Sequence, residues 1–241
     1  MARWKLLISH PSVPVMLAAV ALGFGVLITS GATWHWGFVL LGIGVQMLNE
    51  YGLHRFVFHL PPPRRQWAFD LLYQAHYGHH DFPTHPKLFF APIWVAVPML
   101  LVNLAVVYGI VWLCLPTQAL PLTAAIVLVG GVLTFLGYEW FHMTAHLSLR
   151  KSRLETYVTQ LHNQHHFRDF TKWFHVSPGG EVIDRVMGTA IDRESLKQQQ
   201  RIDFIRTLGL SPDDPRLIAA RNRFSGRYDL SDAEVRRAAN T

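Results

Sequence analysis

The sequence predicts an all-α integral membrane protein, with four transmembrane helices in two hairpins and a cytoplasmic helical cap. Three observations predict it. Half of the 241 residues are hydrophobic and only 16% are charged, a balance that suits a bilayer. The charges are unevenly spread, leaving residues 6–49 and 88–138 without a single Asp, Glu, Lys or Arg. Each of these stretches is followed at once by a polar segment rich in histidine.

A helix crossing the hydrocarbon core needs roughly 20 apolar residues. The uncharged stretches, 44 and 51 residues long, therefore fit two crossings each, at about 13–49 and 91–141. Their turns are expected in "TSGATWHWG" and "LPTQALP", where Gly, Pro, Ser and Thr favour reversal. Trp34, Trp36 and Trp112 lie near these turns, as interfacial aromatic belts do. Arg3, Lys5, Arg55, Arg64, Arg65, Lys87, Arg150, Lys151 and Arg153 all fall on the opposite side. The positive-inside rule then puts both termini and the middle segment in the cytoplasm. Pro11 and Pro14, with a second apolar run directly after the first, argue against a cleaved signal peptide.

Residues 50–87 and 142–189 form the expected cap, so that residues 1–189 make one membrane domain. Residues 190–241 read as a charged cytoplasmic tail of helices, with "SPDD" at 211–214 marking one helix start and "SDAE" at 231–234 spaced as a capping box. Its "RRAAN" end suits a solvated helix better than a lipid contact. The net charge of +6 and pI near 9.7 fit anionic lipid headgroups without invoking nucleic acid. Cys114 is the only cysteine, which excludes a disulfide framework and a cysteine-based metal site.

Of fourteen histidines, His10 lies near the N-terminus and His35 at an outer turn; the other twelve lie in the two cap segments. Ten of them form a set: His54 and His59 in "HRFVFH", His76, His79 and His80 in "HYGHH", His142 and His146 in "HMTAH", and His162, His165 and His166 in "HNQHH". On a helix, positions i, i+3 and i+4 face one side. Positions i and i+5 diverge on a regular helix, so the helix is expected to end or bend between His54 and His59, before "LPPP". At 14 histidines in 241 residues, a given H-x2-H-H arises by chance about 0.05 times, and two copies beside two further pairs are not coincidence. Buried imidazoles without partners are costly, but around cations they become ligands. Ten suit two ions at about five each, with positions open for small molecules. Spacing alone does not choose the metal.

A transmembrane haem protein would need histidines facing each other inside the apolar spans, and 88–138 holds none. A transporter would need polar groups along a midplane path, where only Gln46, Asn49 and Asn103 are candidates. Histidines at the cytoplasmic helix ends point instead to a reaction centre beneath the membrane, reached by a lipid.

These residues resemble the fatty acid hydroxylase superfamily of integral-membrane di-iron enzymes, most closely its fatty acid 2-hydroxylase branch, from about Asn49 to Thr189. The resemblance is carried by "EYGLHRFVFHLPPP", by "HYGHHDFPT" followed by "KLFFAPI", and by "GGEVIDRVMGT" after the last histidine box. It implies that the ten histidines hold two iron ions, with zinc as an ion a purified sample can carry instead. It implies an O2-dependent hydroxylation of a C–H bond in a fatty-acyl lipid, at carbon 2. Carotenoid or sterol hydroxylation or desaturation is the alternative within the superfamily, and a non-enzymatic membrane metal-binding protein the alternative outside it. The branch places a Tyr-Asp pair ahead of H-x3-H as catalytic support; here those positions are Tyr138 and Glu139, an acid one methylene longer. His85 and His175 match no ligand position, and orienting the ligands or lying at the surface are their two readings. Eukaryotic members often carry a cytochrome b5 domain before the membrane region, whereas about a dozen residues precede the first apolar run here. The expected partner is therefore an external cytochrome b5-like or ferredoxin-like electron donor.

Overall fold

The computed structural model of the chain describes residues 3–239. Among the described residues every regular element is helical. They fall into two compact units, Met1–Ala190 and Ile191–Thr241. Asn240, in the arginine-rich end of the tail, lies outside the described residues.

Helices α1 (Arg3–Ser9) and α2 (Ser12–Ser30) open the first unit. Gly31 stops α2 in the left-handed conformation, φ 68°, and its N–H donates to the Ile28 carbonyl. A single tight turn, Thr33–Gly37, leads into α3 (Phe38–Leu53), which widens into a π-turn at His54–Phe58. Next come α4 (Gln66–Leu72), a second π-turn at Tyr73–Tyr77, and α5 (Gly78–Asp81). Helix α6 (Ile93–Cys114) is followed by α7 (Ala119–Thr123), a π-helical stretch at Ala124–Gly131, and α8 (Val132–His146). Helices α9 (Arg153–Phe167) and α10 (Glu181–Val186) complete the unit.

Among the described residues, three helical segments are long and apolar enough to cross a membrane: Ser12–Ser30, Pro86–Cys114 and Pro116–His146, of 19, 29 and 31 residues. Helix α3 has 16 residues and is not one of the three. It packs tightly all the same. A Cβ on Gly42 would stand 2.0 Å from the Ile126 carbonyl oxygen, and one on Gly130 would stand 2.3 Å from that of Val39. The backbones of α3 and of Ala124–Gly131 thus touch where only glycine leaves room. Leu27 of α2 packs on Ala125 and Val129, and Met16 and Val20 pack with Ala96 and Val132. Helix α6 joins this bundle through Ala96 but leaves most of its surface outside it: 11% of its apolar window is buried, against 67% for Pro116–His146.

The cap end has its own core. Leu7, Val13, Phe89, Phe90 and Met143 bury together beneath the residues that carry His142 and His146. Glu155 knits three helices there, forming a capping box with Ser152 and accepting hydrogen bonds from Arg3 Nη1 at 2.9 Å and Trp140 Nε1 at 3.1 Å.

In the second unit, α11 (Arg193–Thr207) is capped by Asp192, α12 (Pro215–Phe224) by Asp214, and α13 (Asp232–Ala239) by the reciprocal Ser231–Glu234 box. Helix α12 starts after the "SPDD" run because Asp214 accepts from the Arg216 N–H and Pro215 presets the first turn.

Candidate metal centre

The ten histidines gather into two groups of five. His54, His59, His76, His80 and His165 form the first; His79, His142, His146, His162 and His166 form the second. Within each group every ring offers a nitrogen within 4.8 Å of all the others.

Local backbone geometry explains how. The segment from His54 to Phe58 is π-helical, and the His59 N–H donates to the His54 carbonyl at 3.1 Å. The i→i+5 spacing that diverges on an α-helix is brought to one side by the wider turn, and the helix ends at His59. In the second and fourth boxes the three rings all face the centre but divide between the groups. His76 and His80, at i and i+4, belong to the first group, and His79 between them crosses to the second. His162 and His166 belong to the second, and His165 crosses to the first. Each half of the chain therefore supplies four rings to one group and lends one to the other.

Burial keeps these rings uncharged. It lowers His59 to about 4; with neighbouring imidazoles it lowers His80 to about 2 and His165 to about 3. Burial first, and then the adjoining rings, hold His54, His76, His79, His162 and His166 well below the ordinary histidine value. Several tautomers are set by backbone carbonyls. Nδ1–H of His54 donates to the Phe174 carbonyl, that of His142 to Phe89, and that of His165 to Lys172 at 2.7 Å. Their Nε2 atoms then carry bare lone pairs, and those of His54 and His165 are buried without a hydrogen-bond partner. The Nε2 atoms of His79 and His142 lie 2.9 Å apart, His79 and His166 3.1 Å, His146 and His162 2.8 Å, His76 and His80 2.8 Å, and His59 and His76 3.2 Å. Neutral imidazoles have one proton each, too few to satisfy so many converging lone pairs. A cation in each group would satisfy them, so the residues present fit a pair of metal ions.

A buried polar network holds the carbonyls that orient the first group. Asp184 is fully buried and accepts from the Phe174 N–H at 2.9 Å, the His175 N–H at 3.1 Å, His175 Nδ1 at 3.0 Å and Thr189 Oγ1 at 2.8 Å. His175 Nε2 donates to the Met47 carbonyl at 2.8 Å. With acceptors on both ring nitrogens, the surroundings of His175 favour its doubly protonated form: burial would lower its pKa, but the Asp184 hydrogen bond, the Glu50 charge and the Met47 carbonyl together raise it. Glu50 is buried too and accepts from the N–H groups of Val176 and Ser177, and from the Ser177 hydroxyl. Trp173 takes a left-handed φ of 52° between the two carbonyls that receive His165 and His54. That conformation costs roughly 1–2 kcal/mol for a residue with a Cβ.

His175 is thus buried beside the centre, whereas His85 is exposed. His35 is buried between Ser30 and Gln118 at the far end of the helices, and His10 stacks on Phe90. The structure separates Tyr138 from Glu139. Tyr138 stacks on His142 with 5.4 Å between ring centroids and lines an apolar cleft. Glu139 is fully buried and accepts from the Ala91 N–H at 3.0 Å, two residues from the carbonyl that receives His142. Glu50, Asp184 and Trp173 escape sequence reasoning because their partners lie across the fold. The one signal for Asp184 is its place in "GGEVIDRVMGT".

The cleft has a volume of about 860 Å³ including its open mouth, and reaches the first group at His54. Its wall includes Met16, Val45, Leu53, Ala96, Met99 and Phe135, with Asn49 and Asn103 hydrogen-bonded to each other at 2.8 Å.

Comparison with known proteins agrees with this geometry. The chain is 32% identical over 152 residues to the dihydroceramide fatty acyl 2-hydroxylase FAH2 of Arabidopsis thaliana, covering 63% of this chain and 59% of that protein. It is 30% identical over 155 residues to the ceramide very long chain fatty acid hydroxylase SCS7 of Saccharomyces cerevisiae, covering 62% and 36%. The chain thus spans about three fifths of the plant relative and about a third of the yeast one. The solved structure of full-length scs7p, in which only the hydroxylase domain is visible, superposes with a TM-score of 0.60 at 23% identity, covering 80% of this chain and 67% of that one. That likeness shows a shared fold. A family model described as fatty acid hydroxylase matches residues 39–189, which hold all ten clustered histidines. The chain belongs to the fatty acid hydroxylase family.

Proposed function

We propose that this chain is an O2-dependent membrane hydroxylase that places a hydroxyl on a fatty-acyl lipid at carbon 2, with one iron ion held by each group of five histidines. The observation that carries the reading is the adjacency of the paired histidine groups to an apolar cleft, joined at His54. The names of the relatives support carbon 2 and an acyl lipid. Two irons, when bound, would supply the activation of O2 that no side chain provides.

The chain's own residues do the rest. The cleft holds the acyl chain and keeps water away from it. Tyr138 stands on the cleft wall against His142 and is the side chain placed to touch the substrate. Glu139 is a positioning residue, fixing the backbone at Ala91 and with it the Phe89 carbonyl that orients His142. Asp184, His175 and Glu50 do the same for His54 through residues 174–177. In this reading α3 completes a fourth span, the histidine cap and both termini lie on the cytoplasmic side, and electrons come from a separate cytochrome b5-like or ferredoxin-like protein.

Lipid mass spectrometry on expressing cells tests it. Acyl chains should gain one oxygen, and the gain should vanish with His79→Ala. Unchanged lipids, or a loss of two hydrogens instead, would refute the assignment.

A further inference from the structure

A second, more open apolar cleft, of about 650 Å³ including its open mouth, adjoins the first and is lined by Phe38, Val107, Ile110, Val111, Cys114 and Leu122, among others. Two residues, Val45 and Ile126, line both clefts. Helix α6 walls both, from Val95 to Asn103 along the first and from Val107 to Cys114 along the second.

We propose that the two clefts form one acyl channel, and that Val45 and Ile126 make a neck that sets the length of chain the enzyme accepts. This rests on the acyl-hydroxylase reading above. Val45 and Ile126 cannot move apart from each other, because Gly42 and Gly130 bring the backbones of α3 and Ala124–Gly131 into contact close beside them. Both neck residues sit on these pinned elements, and Ile126 is 5% exposed.

Helix geometry gives the scale. At 1.5 Å per residue, His54 lies roughly 13 Å from Val45 along α3 and its π-turn, and Phe38 roughly 10 Å beyond Val45. Carbon–carbon bonds of about 1.5 Å at an angle of about 111° advance an extended chain about 1.25 Å per carbon. The first cleft therefore takes roughly ten to eleven carbons, and the second about eight more. Chains longer than about a dozen carbons must pass the neck. The walls suit such an occupant: the second cleft is lined by apolar side chains and Cys114, with no charged group among its lining residues.

The test is a chain-length profile of Val45→Phe and Ile126→Phe, each plugging the neck from a different helix. Leu113→Phe, at an exposed α6 residue that lines neither cleft, is the control. Two readouts are taken: hydroxylated acyl chains in cells fed chains of increasing length, and acyl lipids retained by the purified metal-free protein, read by native mass spectrometry. In both, the ratio of long chains to chains of about a dozen carbons or fewer should fall at least tenfold in the plugged variants, and stay unchanged in the control. Ratios within one sample do not depend on how much protein folds. Hydroxylated product whose length profile is unaltered by either plug, or a uniform loss at every length, would overturn the neck. Absence of hydroxylated lipid from the unaltered protein would instead overturn the acyl-hydroxylase reading, while the retained-lipid lengths still judge the neck.

Discussion

The substitution Asp184→Asn should empty one metal position and spare the other. The carboxylate accepts four hydrogen bonds in full burial, one of them from the His175 ring. The amide side chain would keep the shape but lose the charge, and would turn an N–H₂ group toward donors that need an acceptor. Breaking a buried ion pair by removing one partner costs about 3–5 kcal/mol. Losing two charge-assisted hydrogen bonds at about 1.5–3 kcal/mol each gives a similar figure. For a chain of this size that corresponds to a fall in melting temperature on the order of 10 °C. The functional consequence is local, because Asp184 holds the 174–175 backbone and the Phe174 carbonyl orients His54. Loss of such an orienting partner typically weakens metal binding about 10- to 100-fold. Metal per chain, measured after dialysis against graded chelator, should drop toward one at chelator levels where the unaltered protein keeps two. Equal retention of both ions with unchanged melting would show that this network does not support the first group.

Further outcomes follow from the same geometry. In the metal-free protein the lowered histidines bind protons only when unfolded as pH falls from 6.5 toward about 4 for His59, so stability should drop on acidification by up to about 1.4 kcal/mol per pH unit for each. His175 has the opposite sign: its raised value contributes stability below 6.5 that is lost as pH rises through the folded value. A melting-temperature profile flat between pH 4 and 6.5 would contradict the first expectation. Gly42→Ala should destabilise, since its Cβ meets the Ile126 carbonyl, whereas Gly44→Ala, with nothing within 4 Å, should be neutral or gain up to about 1 kcal/mol; equal melting of the two would refute the close helix contact. Glu155→Ala should cost about 1–2 kcal/mol through its capping box, and Arg3→Ala less than about 1 kcal/mol, both read by thermal unfolding in detergent.

Much of this was legible in the sequence, because helical spacing is local. The uncharged runs, the turns at Gly31 and Pro116, and the set of ten histidines all follow from short-range pattern. What spacing could not say is which rings meet. His79 and His80 are neighbours in sequence yet serve different groups, a partition decided by how α5 and α9 face one another. The π-turn at His54–Phe58 was readable only as a helix that must end or bend, since the extra residue in its turn is fixed by tertiary contacts. Asp184 and Glu50 act on the backbone of residues 174–177 from 9 to 127 positions away, distances at which no periodicity carries information.

The exchange of His79 and His165 has a consequence for biogenesis. A nascent chain that has emerged only to residue 150 holds four rings of one cluster and three of the other, so neither is closed. Both become complete with the same short stretch, His162 to His166, near the end of the membrane unit. In the two-ion reading, neither group has its full set of five ligands until that stretch is made, so both sites reach completion together and late in the chain.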